Sequence, residues 1–274
     1  MLPVAGELWG LPIFSYGLAV SAALLACLAL AFRLRERAGV SAGDLLNLCL
    51  LGIAALLFVP KLWTMALARD FSLEAWRLLL SPWRQEGFTL GPVAVAAAVA
   101  WAAYGRWKRI PLLPAIDAFL PVLLLGLAIQ RLGCFLAGCC YGRPTGLPWG
   151  VRFPADSPAG RAFPGETVHP TQLYYLLAFL LVAGLLWLGR ERLRGRGMAA
   201  AAGLFGVGIA FAAITTQRGD QGPGTLSLAS KASPLVALGL AAAGLVLGAC
   251  ITWQKYRNDR KSETAPAGSV RRRS

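Results

Sequence analysis

The sequence predicts an all-α polytopic membrane protein with about seven transmembrane helices, and three observations carry that reading. Of its 274 residues 57% are apolar and only 15% charged, and the mean hydropathy is +0.58, more apolar than a water-soluble surface tolerates. Several uninterrupted apolar runs reach the roughly 20 residues that cross hydrocarbon. The runs are apolar on every face, whereas barrel strands would alternate over about ten residues.

Taken in order, the first run is Ile13–Ala31, opened by Ser15, Tyr16 and Gly17. The preceding "MLPVAGELWGLPIF" has no basic residue, so the run is expected to be a retained helix rather than a cleaved signal. Tyr16 is either an interfacial belt aromatic or a phenol turned into a pocket. The second run, Leu45–Leu67, contains Pro60 and Lys61: the proline opens a backbone carbonyl, and the lysine either snorkels to the headgroups or meets an anion. The third, Phe88–Tyr104, is short and Ala-rich; the fourth, Leu112–Ile129, holds Asp117, read as capping or as pairing with the Arg106–Arg109 cluster. A Gly- and Pro-rich excursion follows at residues 131–170. The fifth run, Gln172–Leu188, is entered through Pro170, a residue suited to a first helical turn. Met198–Thr216 and Ala232–Trp253 complete the set. Residues 1–254 thus read as a single transmembrane domain and 255–274 as a basic tail, disordered after its first turn.

Lys and Arg set the orientation. Three lie in Arg33–Arg37, three in Arg106–Arg109, four in Arg190–Arg196 and seven after Trp253. The positive-inside rule puts those loops and the C-terminus in the cytoplasm and the N-terminus on the periplasmic side. The net charge of +14 then belongs to cytoplasmic segments beside anionic lipid, and no nucleic-acid partner is expected.

Ionisable groups are costly in a membrane unless they face protein or water, so each is a candidate site residue. In "GLAIQRLGCFLAGCCYGRP", Arg131 offers a rigid fork of donors suited to a phosphate, and Gly133, Gly138 and Gly142 permit close packing and a tight return of the chain. "ETVHPTQLYYLLAF" holds His169, the chain's one histidine, with Gln172 and Tyr174, and "TTQRGDQ" holds Arg218 and Asp220. Arg131, His169 and Arg218 come from distant parts of the chain yet share one side and one depth.

Of six cysteines, Cys27, Cys49 and Cys250 sit in apolar runs and read as small buried hydrophobes. Cys134, Cys139 and Cys140 lie at the outer face, where three readings stay open: a disulfide from Cys134 to Cys139 or Cys140, packed free thiols, or a metal or redox role. A closed zinc site wants four ligands and no CxxCH haem motif is present, so no metal and no cofactor is expected.

"QRLGCFLAGCCYGRPTGLPWGVRF" together with "HPTQLYY", supported by "YGL" near the start and "TTQRGD" after the sixth run, resembles the bacterial prolipoprotein diacylglyceryl transferase family. The resemblance implies an inner-membrane enzyme with its active site toward the periplasm. Such an enzyme transfers the diacylglyceryl group of phosphatidylglycerol to the lipobox cysteine in a preprolipoprotein signal peptide, forming a thioether and releasing glycerol-1-phosphate. It further implies catalytic roles for His169, Arg218 and Tyr16, and substrate binding by Arg131, Gly133, Cys134, Gly138, Gly142, Gln172 and Tyr174, in a monomer. Alternatives are an outer-leaflet phospholipid-dependent transferase with another acceptor, or a non-catalytic lipid-binding or transport protein. The chain departs from the family pattern where Cys134 and Ala137 replace asparagines, where Cys139, Tyr175 and Thr215 replace glutamates, and where Phe211 replaces an arginine; "QEGFTLGPVAV" also lacks the family's histidine.

Overall fold

A computed structural model describes residues 4–8, 11–79, 90–193, 197–220 and 228–263. Strands β1 (Val4–Leu8) and β2 (Leu11–Phe14) form an antiparallel hairpin that hydropathy did not anticipate. Helix α1 (Ser15–Leu34) therefore starts two residues after the expected Ile13. Then come α2 (Ala42–Ala68), α3 (Leu73–Leu79), α4 (Leu90–Lys108) and α5 (Leu112–Ala137). The two-residue strands β3 (Val151–Arg152) and β4 (Thr167–Val168) pair around the short α6 (Pro158–Ala162). Helices α7 (Thr171–Leu188), α8 (Met198–Thr215) and α9 (Leu228–Glu263) follow.

Among the described residues, six helices are long and apolar enough to cross a membrane: α1, α2, α5, α7, α8 and the Ala237–Arg257 portion of α9. Only 11% to 39% of each apolar window is buried, so large side chains such as Leu25, Leu50, Leu185 and Leu188 face outward. That surface suits lipid and not water. The expected third span corresponds to α4, which is not among the six; Phe88 lies outside the described residues.

Two boundaries differ from expectation. The fourth span does not stop at Ile129; α5 runs two further turns to Ala137, so Arg131, Gly133 and Cys134 are helical and not part of a loop. Helix α9 continues to Glu263, carrying helix beyond the first turn of the basic tail, while residues 264–274 lie outside the described residues.

The chain divides into two compact units, a finer division than the single domain expected over 1–254. One comprises residues 31–115. There Ser41 caps α2 by accepting from the Asp44 N–H at 3.1 Å, and Tyr104 of α4 donates to the Asp44 carboxylate at 2.8 Å while accepting from Asn47 at 2.8 Å. Lys61, read as snorkelling or meeting an anion, is buried at 5% exposure.

The other unit comprises residues 1–30 and 116–274. Its core joins Leu124 and Ala128 of α5, Tyr175, Phe179, Val182 and Leu186 of α7, and Ala199 and Ile214 of α8. Helices α8 and α9 approach through glycine: a Cβ on Gly208 would lie 2.5 Å from the Ala241 nitrogen, and one on Gly244 2.6 Å from the Ala201 oxygen. Only a hydrogen fits there, the usual route to close helix contact in lipid. Asp117 settles between its two readings as a cap, accepting from Gly197 N at 2.8 Å and Ala200 N at 3.0 Å at the start of α8.

Candidate active site

The site grows from the last two turns of α5. Gly133 lies against α1, where a Cβ would come within 2.7 Å of the Ala19 Cβ, and this closeness sets Tyr16 beside α5. The Gln130 amide then donates both to the Tyr16 hydroxyl, at 3.1 Å, and to the Cys134 sulfur, at 3.2 Å. Tyr16 is half-buried and its hydroxyl is held by a hydrogen bond from protein. One position on, Arg131 is 8% exposed and its guanidinium sits 4.8 Å from the Tyr175 ring centroid, a cation–π geometry. Its Nε has no hydrogen-bond partner among the described residues.

Gly138 ends α5 in the left-handed region, at φ 71°, with Cys139 N–H on Cys134 O and Gly138 N–H on Phe135 O, the pattern of a Schellman cap. From there the chain turns back through Cys140, also left-handed at φ 56°, to Gly142, where three segments meet. Gly142 N donates to His169 O and His169 N to Arg143 O, each at 3.0 Å; Arg143 N donates to Gln217 O at 2.8 Å, and Gly219 N to Tyr141 O at 3.0 Å. A Cβ on Gly142 would stand 2.5 Å from the His169 Cβ. This backbone knot brings the His169 and Arg218 segments together.

The HPTQ run holds the same turn from the other side. Thr171 Oγ1 donates to Cys140 O at 2.6 Å and Gln172 Nε2 to Cys139 O at 2.7 Å. Gln172 is fully buried, and its Oε1 has no partner among the described residues. His169 Nδ1 faces the Tyr174 hydroxyl at 3.1 Å, and that hydroxyl accepts from Trp149 Nε1 at 2.8 Å. Among the described residues, Nε2 of His169 has no hydrogen-bond partner.

Arg218 makes a two-pronged ion pair with Asp220, Nε donating to Oδ1 at 2.8 Å and Nη2 to Oδ2. Burial opposes the guanidinium charge, but the Asp220 hydrogen bonds and carboxylate outweigh it and hold the pKa above its ordinary value. The sulfurs of Cys134, Cys139 and Cys140 lie within 4.8 Å of one another, all as free thiols, so of the three readings the disulfide is not the one observed. Thiol hydrogen bonds from Cys134 and Cys139 push the Cys140 pKa down, burial opposes them, and the Arg131 and Arg218 charges assist. Arg218 also pairs with Gly142 through a backbone bridge, two residues beyond that sulfur. Cys139, sharing the same hydrogen bonds from the other side, is pushed up.

Arg131, Tyr16, Cys134 and Gln172 thus converge, with Arg218 joining them at Cys140. Gly133, Gly138 and Gly142 serve as close-approach positions. His169 and Tyr174 pair with each other at the rim beside the exposed Trp149.

Sequence reasoning missed Gln130 and the partnership of Tyr175, Thr215 and Phe211. Tyr175 is fully buried, its hydroxyl shares a 3.1 Å hydrogen bond with Thr215 Oγ1, and its ring centroid lies 4.7 Å from that of Phe211. Three departures from the family pattern are therefore one contact cluster. The i, i+4 spacing of Phe211 and Thr215 on one helical face was the available signal.

The family model for prolipoprotein diacylglyceryl transferase matches residues 3–250. A phosphatidylglycerol–prolipoprotein diacylglyceryl transferase of Verminephrobacter eiseniae is 33% identical over 260 residues, covering 89% of this chain and 91% of the relative. The enzyme of that name from Clostridium tetani is 31% identical over 222 residues, 80% of this chain and 86% of its own length. A third, from Synechococcus elongatus, is 30% identical over 195 residues, 71% of this chain and 67% of its own. A multi-pass helical chain with two arginines gathered at the α5–α7–α8 junction, matched over nearly its whole length, belongs to the prolipoprotein diacylglyceryl transferase family.

Proposed function

We propose that the protein transfers the diacylglyceryl group of phosphatidylglycerol to the lipobox cysteine of preprolipoproteins, forming a thioether and releasing glycerol-1-phosphate. The convergence of Arg131 and Arg218 on the turn at Cys140 carries this reading. Arg131 is buried with its Nε unpartnered among the described residues, a donor that rests against Tyr175 and is available to a phosphate oxygen. Arg218, oriented by Asp220, supplies the second charge.

The acceptor brings its own nucleophile, so the enzyme must remove a proton and clamp the charge that develops on the departing phosphate. Removing one arginine from such a clamp is expected to cost about 3 kcal/mol of transition-state stabilisation, roughly a hundredfold in rate. His169, through Nε2, is the favoured proton acceptor; Tyr16, fixed by Gln130, orients the acceptor or stands in as base. Gln172 and Tyr174 complete the binding surface. In this reading α4 is a seventh span, the N-terminus and the site face the periplasm, the C-terminus is cytoplasmic, and the inner-membrane enzyme works as a monomer.

The test is transfer of a labelled diacylglyceryl group from phosphatidylglycerol vesicles to a lipobox peptide. Full activity in the Arg131→Ala, Arg218→Ala double variant would falsify the clamp. The replacements at Cys134, Cys139, Tyr175, Thr215 and Phe211 favour a second reading, the same clamp with another acceptor. Turnover of phosphatidylglycerol by a small thiol or alcohol, but not by the peptide, would select it.

A further inference from the structure

We propose that Cys134, Cys139 and Cys140 form a site for a thiophilic divalent cation of the Zn2+ class, whose open fourth position takes the acceptor thiol as a thiolate. The cation-site half stands on the cluster itself; the acceptor half rests on the function proposed above.

The three sulfurs lie within 4.8 Å of one another. Three thiolates about 2.3 Å from one zinc ion are about 3.8 Å apart, so side-chain rotations that shorten the widest separation by about 1 Å close the set. The backbone is already committed to the arrangement. The Schellman cap at Gly138, the left-handed Cys140, and the bonds from Thr171 and Gln172 to the Cys140 and Cys139 carbonyls fix the turn that presents the sulfurs. An outer shell is present too, since Gln130 Nε2 donates to the Cys134 sulfur at 3.2 Å, the kind of amide contact that orients a ligating thiolate.

Charge favours the set. A divalent cation with three thiolates carries one net negative charge, which the Arg131 guanidinium beside the cluster offsets. Cys134 is buried at 2% exposure but Cys139 and Cys140 are only half-buried, so one side of the cluster is not packed over. Three protein ligands with one open position is the pattern of a catalytic zinc site, whereas structural sites close with four.

A thiol entering that position is acidified by coordination and gives up its proton, to His169 Nε2 or through it to solvent, because a coordinating thiol is deprotonated outright. Its sulfur then attacks the glyceryl carbon; the C–S bond forms as the C–O bond to phosphate breaks, and glycerol-1-phosphate leaves with the electron pair between Arg131 and Arg218. The ion thereby supplies the thiolate for which the family pattern would otherwise provide a histidine absent here.

The experiment uses the full chain in detergent micelles, reduced and freed of metal, then titrated with Co2+. A sulfur-to-metal charge-transfer band saturating at one ion per chain is expected. It should persist in a Cys27→Ser, Cys49→Ser, Cys250→Ser variant and vanish in Cys139→Ser. Should Cys139→Ser fail to fold, alkylation of wild-type protein decides instead: Zn2+ must protect three thiols, as located by peptide mapping at Cys134, Cys139 and Cys140. Adding a lipobox peptide should strengthen the band, and its Cys→Ser counterpart should not. No band, protection elsewhere, or a band indifferent to the cysteine peptide overturns the proposal. Full lipid transfer by metal-free protein overturns it too and leaves the transferase reading standing. Metal and peptide binding without lipid transfer overturns the transferase reading and leaves the site.

Discussion

Gly142→Ala is the sharpest probe of how the site is held. The added Cβ would stand 2.5 Å from the His169 Cβ, 2.6 Å from the His169 carbonyl oxygen and 2.9 Å from the Gln217 oxygen. Ordinary carbon contacts are about 3.5–4 Å, so one of the three strands of the knot must retreat by about 1 Å. Two of the three contacts are with backbone, which no rotamer change relieves. Retreat stretches the bonds from Gly142 N to His169 O and from Arg143 N to Gln217 O, each of net worth about 1 kcal/mol. Overpacking of this kind costs about 1–3 kcal/mol. A misplacement of about 1 Å in a clamp of charges can lower the rate about a hundredfold. The expected outcome is a folded protein, destabilised by about 2 kcal/mol in detergent-monitored unfolding, with diacylglyceryl transfer down one to two orders of magnitude, about 10- to 100-fold. Gly146→Ala, four residues along, has nothing within 4 Å and should match the wild type in both assays. Equal activity and equal stability in Gly142→Ala would refute the idea that this knot aligns His169 and Arg218.

Asp117→Ala removes the acceptor for two N–H groups at the start of α8 and should lower stability by about 2 kcal/mol, with transfer per folded molecule unchanged. Tyr175→Phe should cost about 1 kcal/mol through Thr215 while keeping the ring under Arg131, and hence most activity; Tyr175→Leu, which loses the ring, should reduce transfer more than stability. Phe211→Arg places a cation in the core beside Tyr175 and Phe179 with no acidic partner in that cluster, and should destabilise by about 3–5 kcal/mol, read as loss of monodisperse protein on gel filtration.

The spans were legible because hydropathy reports the free energy of a whole run, and six of the seven expected runs correspond to helices able to cross a membrane. The end of α5 was not legible, because Gln130 and Arg131 break the apolar run although the helix continues until Gly138 supplies a left-handed cap. Hydropathy also gave no hint of the β1–β2 hairpin, whose four- and five-residue strands are shorter than any averaging window. At the site, Arg131, His169 and Arg218 could be named from the cost of polar groups in lipid. Their connections could not, because these run through backbone carbonyls of residues 139, 140, 141, 143, 169 and 217, which sequence patterns do not display.

The departures from the family pattern have a common logic once their contacts are known. Tyr175, Thr215 and Phe211 stand where glutamates and an arginine are expected, and they touch one another. Losing a single member of such a set would leave a buried charge without its partner, a cost of several kcal/mol. Replacing both signs together leaves a neutral cluster sealed by a hydroxyl pair and stacked rings, with Arg131 resting on the Tyr175 face. Cys134 and Cys139 likewise changed as neighbours, with Cys140 completing a sulfur triangle beside the same arginine. One side of Arg131 thus carries an aromatic ring where the resemblance implies carboxylate, and the other carries thiols where it implies amide and carboxylate. Under the proposed function, a retained cation beside altered neighbours places the divergence in how the acceptor is activated more than in how an anionic leaving group is held.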